Sequence, residues 1–166
     1  MSNAIRARRK QSNYIDLGES GTPAFEFMGS GFTDLNEEPG AQVGSKRYIN
    51  DASSSSSIKG YDWKSPFTAD QILSQLVIKD FVEIGELQKT GEDAVRDYVI
   101  VDLESKVGST GSVYKARKIK VCVEVSAFGN EDGEMTCSGN LLGIGDVISG
   151  SFDTTAKTFT AGVTVA

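Results

Sequence analysis

SVYKARKIKVCVEVSAF at residues 112–128 and MTCSGNLL at 135–142, separated by NEDGE at 130–134, decide the fold class. In the first segment Ile119, Val121, Val123 and Val125 alternate with Lys120, Cys122, Glu124 and Ser126, and a period of two puts one set on each face of a strand. The Asp132-Gly133 pair suits a tight hairpin turn, whose central positions need a left-handed backbone. The two segments therefore read as long antiparallel strands.

Working outward, further strands are expected at 147–152 and 157–165 around a turn at 154–156, and upstream in DYVIVDL at 97–103, before a glycine-bearing turn at 108–111. Phe25 and Phe27 alternate with Ala24, Glu26 and Met28 in a short strand that Gly29-Ser30-Gly31 ends. After the turn residues NEEPG at 36–40, KRYIN at 46–50 resumes an extended pattern. Seven or eight strands with one helix fit a mainly β fold, a sandwich or half-barrel with the helix covering one side. The 18 glycines against 3 prolines suit many turns between short strands.

Thr68-Ala-Asp-Gln71 has the form of a capping box, which opens a helix by satisfying its first free amides. Leu73, Val77, Phe81 and Ile84 then recur at helical spacing, with Lys79, Asp80, Glu83 and Glu86 largely opposite. A helix is expected over 77–88, its start reaching back as far as 69. Gly91 is placed to stop it, and Leu73, Val77, Phe81 and Ile84 form its core face.

Residues 46–66 read as a long extended loop holding a run of five serines at 53–57, too polar for a core. Such an excursion is uncommon in a compact domain unless it contacts a partner. Trp63, the single tryptophan, either caps the core or anchors an interface. Residues 1–17, with Arg6, Arg8, Arg9 and Lys10, read as a flexible arm, either a solvated tail or a segment that orders against an acidic neighbour. Residues 18–166 are expected to form a single domain.

Histidine is absent, which removes histidine-dependent nucleophiles and histidine metal sites. Gly143 and Gly145 are flanked by strand-like residues and open no helix, so they read as a bulge or tight bend and not a phosphate loop. Asp132 and Glu134 are expected at a solvated hairpin tip. Cys122 and Cys137 lack zinc-type spacing and read as reduced core residues. With no catalytic, cofactor or metal residues to nominate, a non-enzymatic role is expected. No apolar stretch approaches the roughly 20 residues of a membrane helix, and the basic start has no apolar stretch of the secretory kind behind it, so a soluble chain is expected. A formal net charge of -6 speaks against general nucleic-acid binding.

The order of GFTDLNEEPGAQVGSKRYIND at 31–51, SSIKGYDWKSPFTADQI at 56–72, IGELQKTGEDAVRDYVIVDLE at 84–104 and DGEMTCSGNLLGIGDVISGSFDTTAKTFT at 132–160 resembles the major tail protein, or tail tube protein, of siphophages and prophages of Gram-positive bacteria. The similarity runs from about residue 28 to residue 160. It implies a tail-tube-type β-sandwich or half-barrel with a flanking helix, forming hexameric rings that stack into the virion tail tube, the conduit for DNA ejection. Implied partners are further copies of itself, the tape measure protein, the tail tip or baseplate proteins and the tail terminator. The resemblance further implies that DNA passes transiently without specific binding, that no membrane is involved, and that assembly takes place in the host bacterial cytoplasm.

On this resemblance the loop at 46–66 contacts the adjacent ring, with Tyr48, Ile49, Ile58, Tyr61, Trp63 and Phe67 as candidate contacts, and the arm helps ring stacking. Asp97, Asp102, Glu104 and Glu124 alternate with apolar residues on expected strands and are candidates to face the lumen, where negative charge keeps DNA from adhering. Composition alone also permits a monomeric β-sandwich acting as a binding or adhesion module.

Overall fold

A computed structural model describes residues 3–19 and 21–162. The protein is mainly β, a curled half-barrel sheet with one flanking α-helix. In chain order the strands are β1 Gln11–Asp16, β2 Phe25–Phe27, β3 Phe32–Leu35, β4 Ala41–Lys46, β5 Ser55–Tyr61, β6 Lys64–Asp70, β7 Val95–Lys106, β8 Val113–Glu131, β9 Glu134–Asp153 and β10 Thr158–Ala161, and the helix is α1 Leu76–Glu86. The main sheet runs β2-β1-β7-β8-β9-β6-β3, with β10 added to the far end of β9, while β4 and β5 form a separate two-stranded sheet.

Chain connectivity explains the curl. The first and last strands of the main sheet, β2 and β3, are joined by residues 28–31 alone, five Cα steps that reach at most about 18 Å. Across a flat sheet the six spacings between them would require about 29 Å. The sheet must bend until its ends meet.

The β8–β9 pair is the spine of the sheet, its register running from Val113 opposite Asp153 to Glu131 opposite Glu134. Asp132 and Gly133, both at positive φ, make the turn that the Asp-Gly pair predicts. Where two strands were expected at 135–142 and 147–152, β9 runs through. Its register with β8 shifts around Gly145, at φ +74, where Lys118 faces Ile148 and Lys120 faces Ile144, so the extra residues are absorbed as a bulge within one strand.

The concave face of the sheet and α1 enclose one core, with Val77, Ile78, Phe81, Val82 and Ile84 packed on Ile119, Val121, Val123, Phe67 and Leu141. A smaller cluster of Tyr14, Phe25, Val99, Val101, Ala116 and Phe152 fills the opposite side of β1 and β7. Alternation along β7 accounts for both, since Tyr98 and Ile100 serve the first core and Val99 and Val101 the second.

Several expectations are corrected by these elements. The arm expected over residues 1–17 is not free along its described length: Gln11–Asp16 is a strand between β7 and β2, with Ile15 fully buried, because Tyr14 and Ile15 each supply one of the two cores. Thr68 and Gln71 form no capping box, since Thr68 lies inside β6, paired with Ser138. The helix starts at Leu76 and does not reach back to 69, which leaves Leu73 outside it and 55% exposed, whereas Val77, Phe81 and Ile84 are buried.

The helix ends at Glu86 and not at 88. Gln88, at φ 51, takes the left-handed position, and the amides of Gln88 and Lys89 reach back to the carbonyls of Gly85 and Ile84. Gly91 instead opens a 3-10 turn ahead of β7. Finally, residues 46–66 are not a loop. Most of them belong to the β4–β5 hairpin, whose tip spans 47–54, and Lys64 to Pro66 lie in β6. The expected last strand at 157–165 is seen as Thr158–Ala161, and residues 163–165 lie outside the described residues.

Candidate assembly surface

A two-stranded sheet is marginal by itself and normally needs a third strand or a packed face. The β4–β5 hairpin has neither among the described residues: every residue of its strands is exposed except the half-buried Gly44 and Gly60. Its register pairs Val43 with Ile58 and Ala41 with Tyr61, so Val43 and Ile58 share one face and stand open to solvent. At the tip, Arg47 Nε donates to the Asp51 carbonyl at 3.1 Å, Asp51 Oδ2 accepts from the Tyr48 amide at 3.1 Å, and the Lys46 ammonium lies 5.0 Å from the Tyr48 ring centre. The tip is ordered by its own polar contacts while Tyr48 and Ile49 stay exposed.

The base of the hairpin is anchored differently. Glu38 and Lys64 exchange backbone hydrogen bonds at 2.8 and 3.0 Å, with their side chains 3.4 Å apart. Gly40 lies so close to the Asp62 carbonyl that a Cβ would come within 2.2 Å of its oxygen. Glu37 accepts both Arg117 guanidinium nitrogens, at 3.0 and 3.1 Å, and the Trp63 indole N–H at 3.1 Å. The hairpin is thus a soft blade on a stiff root.

Of the six candidate contacts, Tyr48, Ile49, Ile58 and Tyr61 are exposed on this blade. Trp63 and Phe67 are not surface anchors and are corrected. Trp63 is 8% exposed with its ring 5.9 Å from that of Tyr98, and Phe67 sits between Phe32 and Phe81. The chain has rejoined the main sheet at β6, where inward positions are core. Val43, absent from the six, belongs with the exposed set; only its pairing with Ile58 reveals it.

The four carboxylates proposed for a lumen divide between two faces. Asp97 pairs with Lys120 and shares the face of Val99, whereas Asp102 shares the face of Tyr98 and Ile100. Glu124 stands exposed on the same side of β8 as Lys120. Arg6 joins Asp102 at 2.7 Å and Glu104 at 3.7 Å. Burial alone would push the Asp102 carboxyl up, but the Glu104 amide, the Ser105 hydroxyl and Arg6 together hold it below the ordinary carboxylate value.

Arg8 ties the same segment into the core. Its guanidinium donates to the carbonyls of Gln11 and Leu35 at 2.8 and 3.2 Å and to Asn13 Oδ1 at 2.9 Å. Asn13 Nδ2 donates to the Tyr98 hydroxyl, which also bonds Ser65, and Ser65 donates to the Asn36 carbonyl. Burial drives the Tyr98 phenol far above its ordinary value of 10.0, outweighing the Ser65 and Asn13 bonds and the Arg8 charge. Cys137 is buried and its thiol is pushed up to about 11 by burial, while Cys122 is half-buried, and neither is in a disulfide.

Among the described residues no group of three or more His, Cys, Asp or Glu is placed to hold a metal ion, and no helix is long and apolar enough to cross a membrane. The chain matches no protein-family model and no curated protein sequence.

Proposed function

We propose that the chain is a structural subunit that joins copies of itself into rings, hexameric by the family resemblance, and that stacked rings form the tail tube through which a long-tailed phage delivers its DNA. The observation that carries this reading is the β4–β5 hairpin, a two-stranded sheet held only at its root that offers Val43, Tyr48, Ile49, Ile58 and Tyr61 to solvent. Exposed apolar side chains gathered on one projecting element mark an interaction site. The hairpin's 21 residues also match one side of a standard interface, about 20–30 residues.

In this reading each subunit contributes its curled sheet to a shared wall, braced by α1, and the hairpin reaches a neighbouring ring. Because the lumen candidates lie on opposite faces, one channel wall does not use all four, and Asp102 and Glu104 are the set offered to it here. Negative-stain microscopy of the concentrated protein, with sedimentation over a concentration series, tests the proposal. Hollow rods or rings are expected. A chain that stays monomeric throughout and binds a glycan or surface receptor would replace the tube with the adhesion reading.

A further inference from the structure

We propose that the hairpin of one copy docks on a particular surface of the next: the face of β7, β8 and β9 turned away from α1, centred on Leu142 and Ile144. This rests on the tube reading and names the receiving half of its joint. Residues paired across adjacent strands share a face. The registers place Asp97, Lys120 and Ile144 in one row, Val95, Cys122 and Leu142 in the next, and Glu124 with Asn140 in a third. The opposite face of the same strands is buried beneath α1, but here Leu142 and Ile144 are 36% and 43% exposed. A depression of about 630 Å³ adjoins Ile144 and reaches Glu92 and Asp97, and a second of about 430 Å³ runs from Leu142 and Glu124 round the edge of β8 to Ile84 and Gly85 of α1.

Charge selects the occupant. Residues 41–61 carry Lys46, Arg47 and Lys59 against Asp51, a net charge of 3 - 1 = +2, so the rest of the chain carries -6 - 2 = -8. Among the described residues no carboxylate pairs with Lys46, Arg47 or Lys59. On the receiving side Arg96 is taken by Asp80 and Lys89 by Glu83, which leaves Glu92, Asp97 and Glu124 against Lys120, a net charge of 1 - 3 = -2 on the rim. The cleft lined by Arg8 and Arg9 has the wrong sign for a basic hairpin. An apolar stripe with an acidic rim complements an apolar blade with basic flanks, and such complementarity fixes orientation as well as attraction.

The test uses two full-length variants in a Cys122→Ser background, one with Ile58→Cys and one with Ile144→Cys, treated with a short bismaleimide. A cross-linked dimer is expected from the mixture and from neither variant alone. In parallel, Lys46→Glu/Arg47→Glu/Lys59→Glu and Glu92→Lys/Asp97→Lys/Glu124→Lys should each raise the concentration needed for assembly about tenfold or more, with recovery when both triplets are in one chain. Rods or rings that form without the mixed cross-link, or that ignore the triplets, overturn the assigned surface and leave the tube reading standing. Wild-type protein that never assembles overturns both.

Discussion

Glu37 grips Arg117 with both carboxylate oxygens across a sequence separation of 80, and the oxygen that meets Arg117 Nη1 also accepts the indole N–H of Trp63. One side chain thereby fastens the entry and exit of the hairpin to the central strand β8. Glu37→Gln keeps the shape but cannot accept from all three donors. Because the Arg117 side chain is 40% exposed, a loss of about 1–2 kcal/mol is expected. Urea unfolding followed by Trp63 fluorescence measures it directly, since Trp63 is the only tryptophan.

A larger effect is expected where the polar chain is buried. Tyr98→Phe removes a hydroxyl and leaves Asn13 Nδ2 and Ser65 without their partner, at a cost of about 1–3 kcal/mol. The substitution also has a pH signature. The folded-state pKa of Tyr98 lies above the ordinary 10.0, so in alkali the unfolded chain releases its proton first. The Tyr98 contribution is intact below pH 10.0 and is lost as pH rises above it. Tyr98→Phe should therefore show a shallower alkaline fall in stability than the wild type, and equal slopes would refute the buried phenol.

Where the sequence could be read and where it could not follows from the range of the interactions involved. The β8–β9 pairing was legible because alternation and an Asp-Gly turn are local signals. The register that sets Thr68 against Ser138 is not local, so a capping-box spelling outweighed the strand that contains it. Trp63 and Tyr61 are two residues apart and equally aromatic. Their fates divide only because Trp63 faces Tyr98 and Glu37, from distant parts of the chain, while Tyr61 stays on the blade.

The corrected helix boundary has a measurable consequence. Phe81→Ala removes a ring packed on Phe67 at a 5.0 Å centroid distance and should cost about 3–5 kcal/mol. Leu73→Ala, outside the helix and exposed, should change stability by no more than about 0.5 kcal/mol. Were the helix to run back through residue 73, the two substitutions would be comparably damaging in thermal or urea unfolding.

The segment ahead of β1 is held at Arg6 by a carboxylate that titrates low. Asp102→Asn removes the stronger of its two ion-pair partners, so trypsin should cleave after Arg6 faster than in the wild type while cleavage within the sheet stays slow. The sign of the acid dependence follows from the depressed pKa: the contribution of Asp102 is present above the ordinary 3.8 and is lost as pH falls below it. Asp102→Asn should thus flatten part of the acid limb of stability. An unchanged cleavage rate at Arg6 would mean that the salt bridge does not restrain the arm.

Separating the fold from the proposed joint is the most direct trial of the functional reading, because nearby residues divide between core and surface. Trp63 is core, so Trp63→Ala should destabilise the subunit by about 3–5 kcal/mol, and any defect in assembly would follow from unfolding. Ile49 lies fully exposed at the hairpin tip and Ile58 on its apolar face, so an aspartate at either position should leave the unfolding midpoint within error. If these side chains enter a neighbouring subunit, the same aspartates place an unpaired charge in a closed interface and should abolish rods or rings at concentrations where the wild type forms them. Rods of normal appearance from both variants would show that the blade is not the joint. Loss of rods with unchanged stability is the outcome that a purely structural hairpin cannot produce.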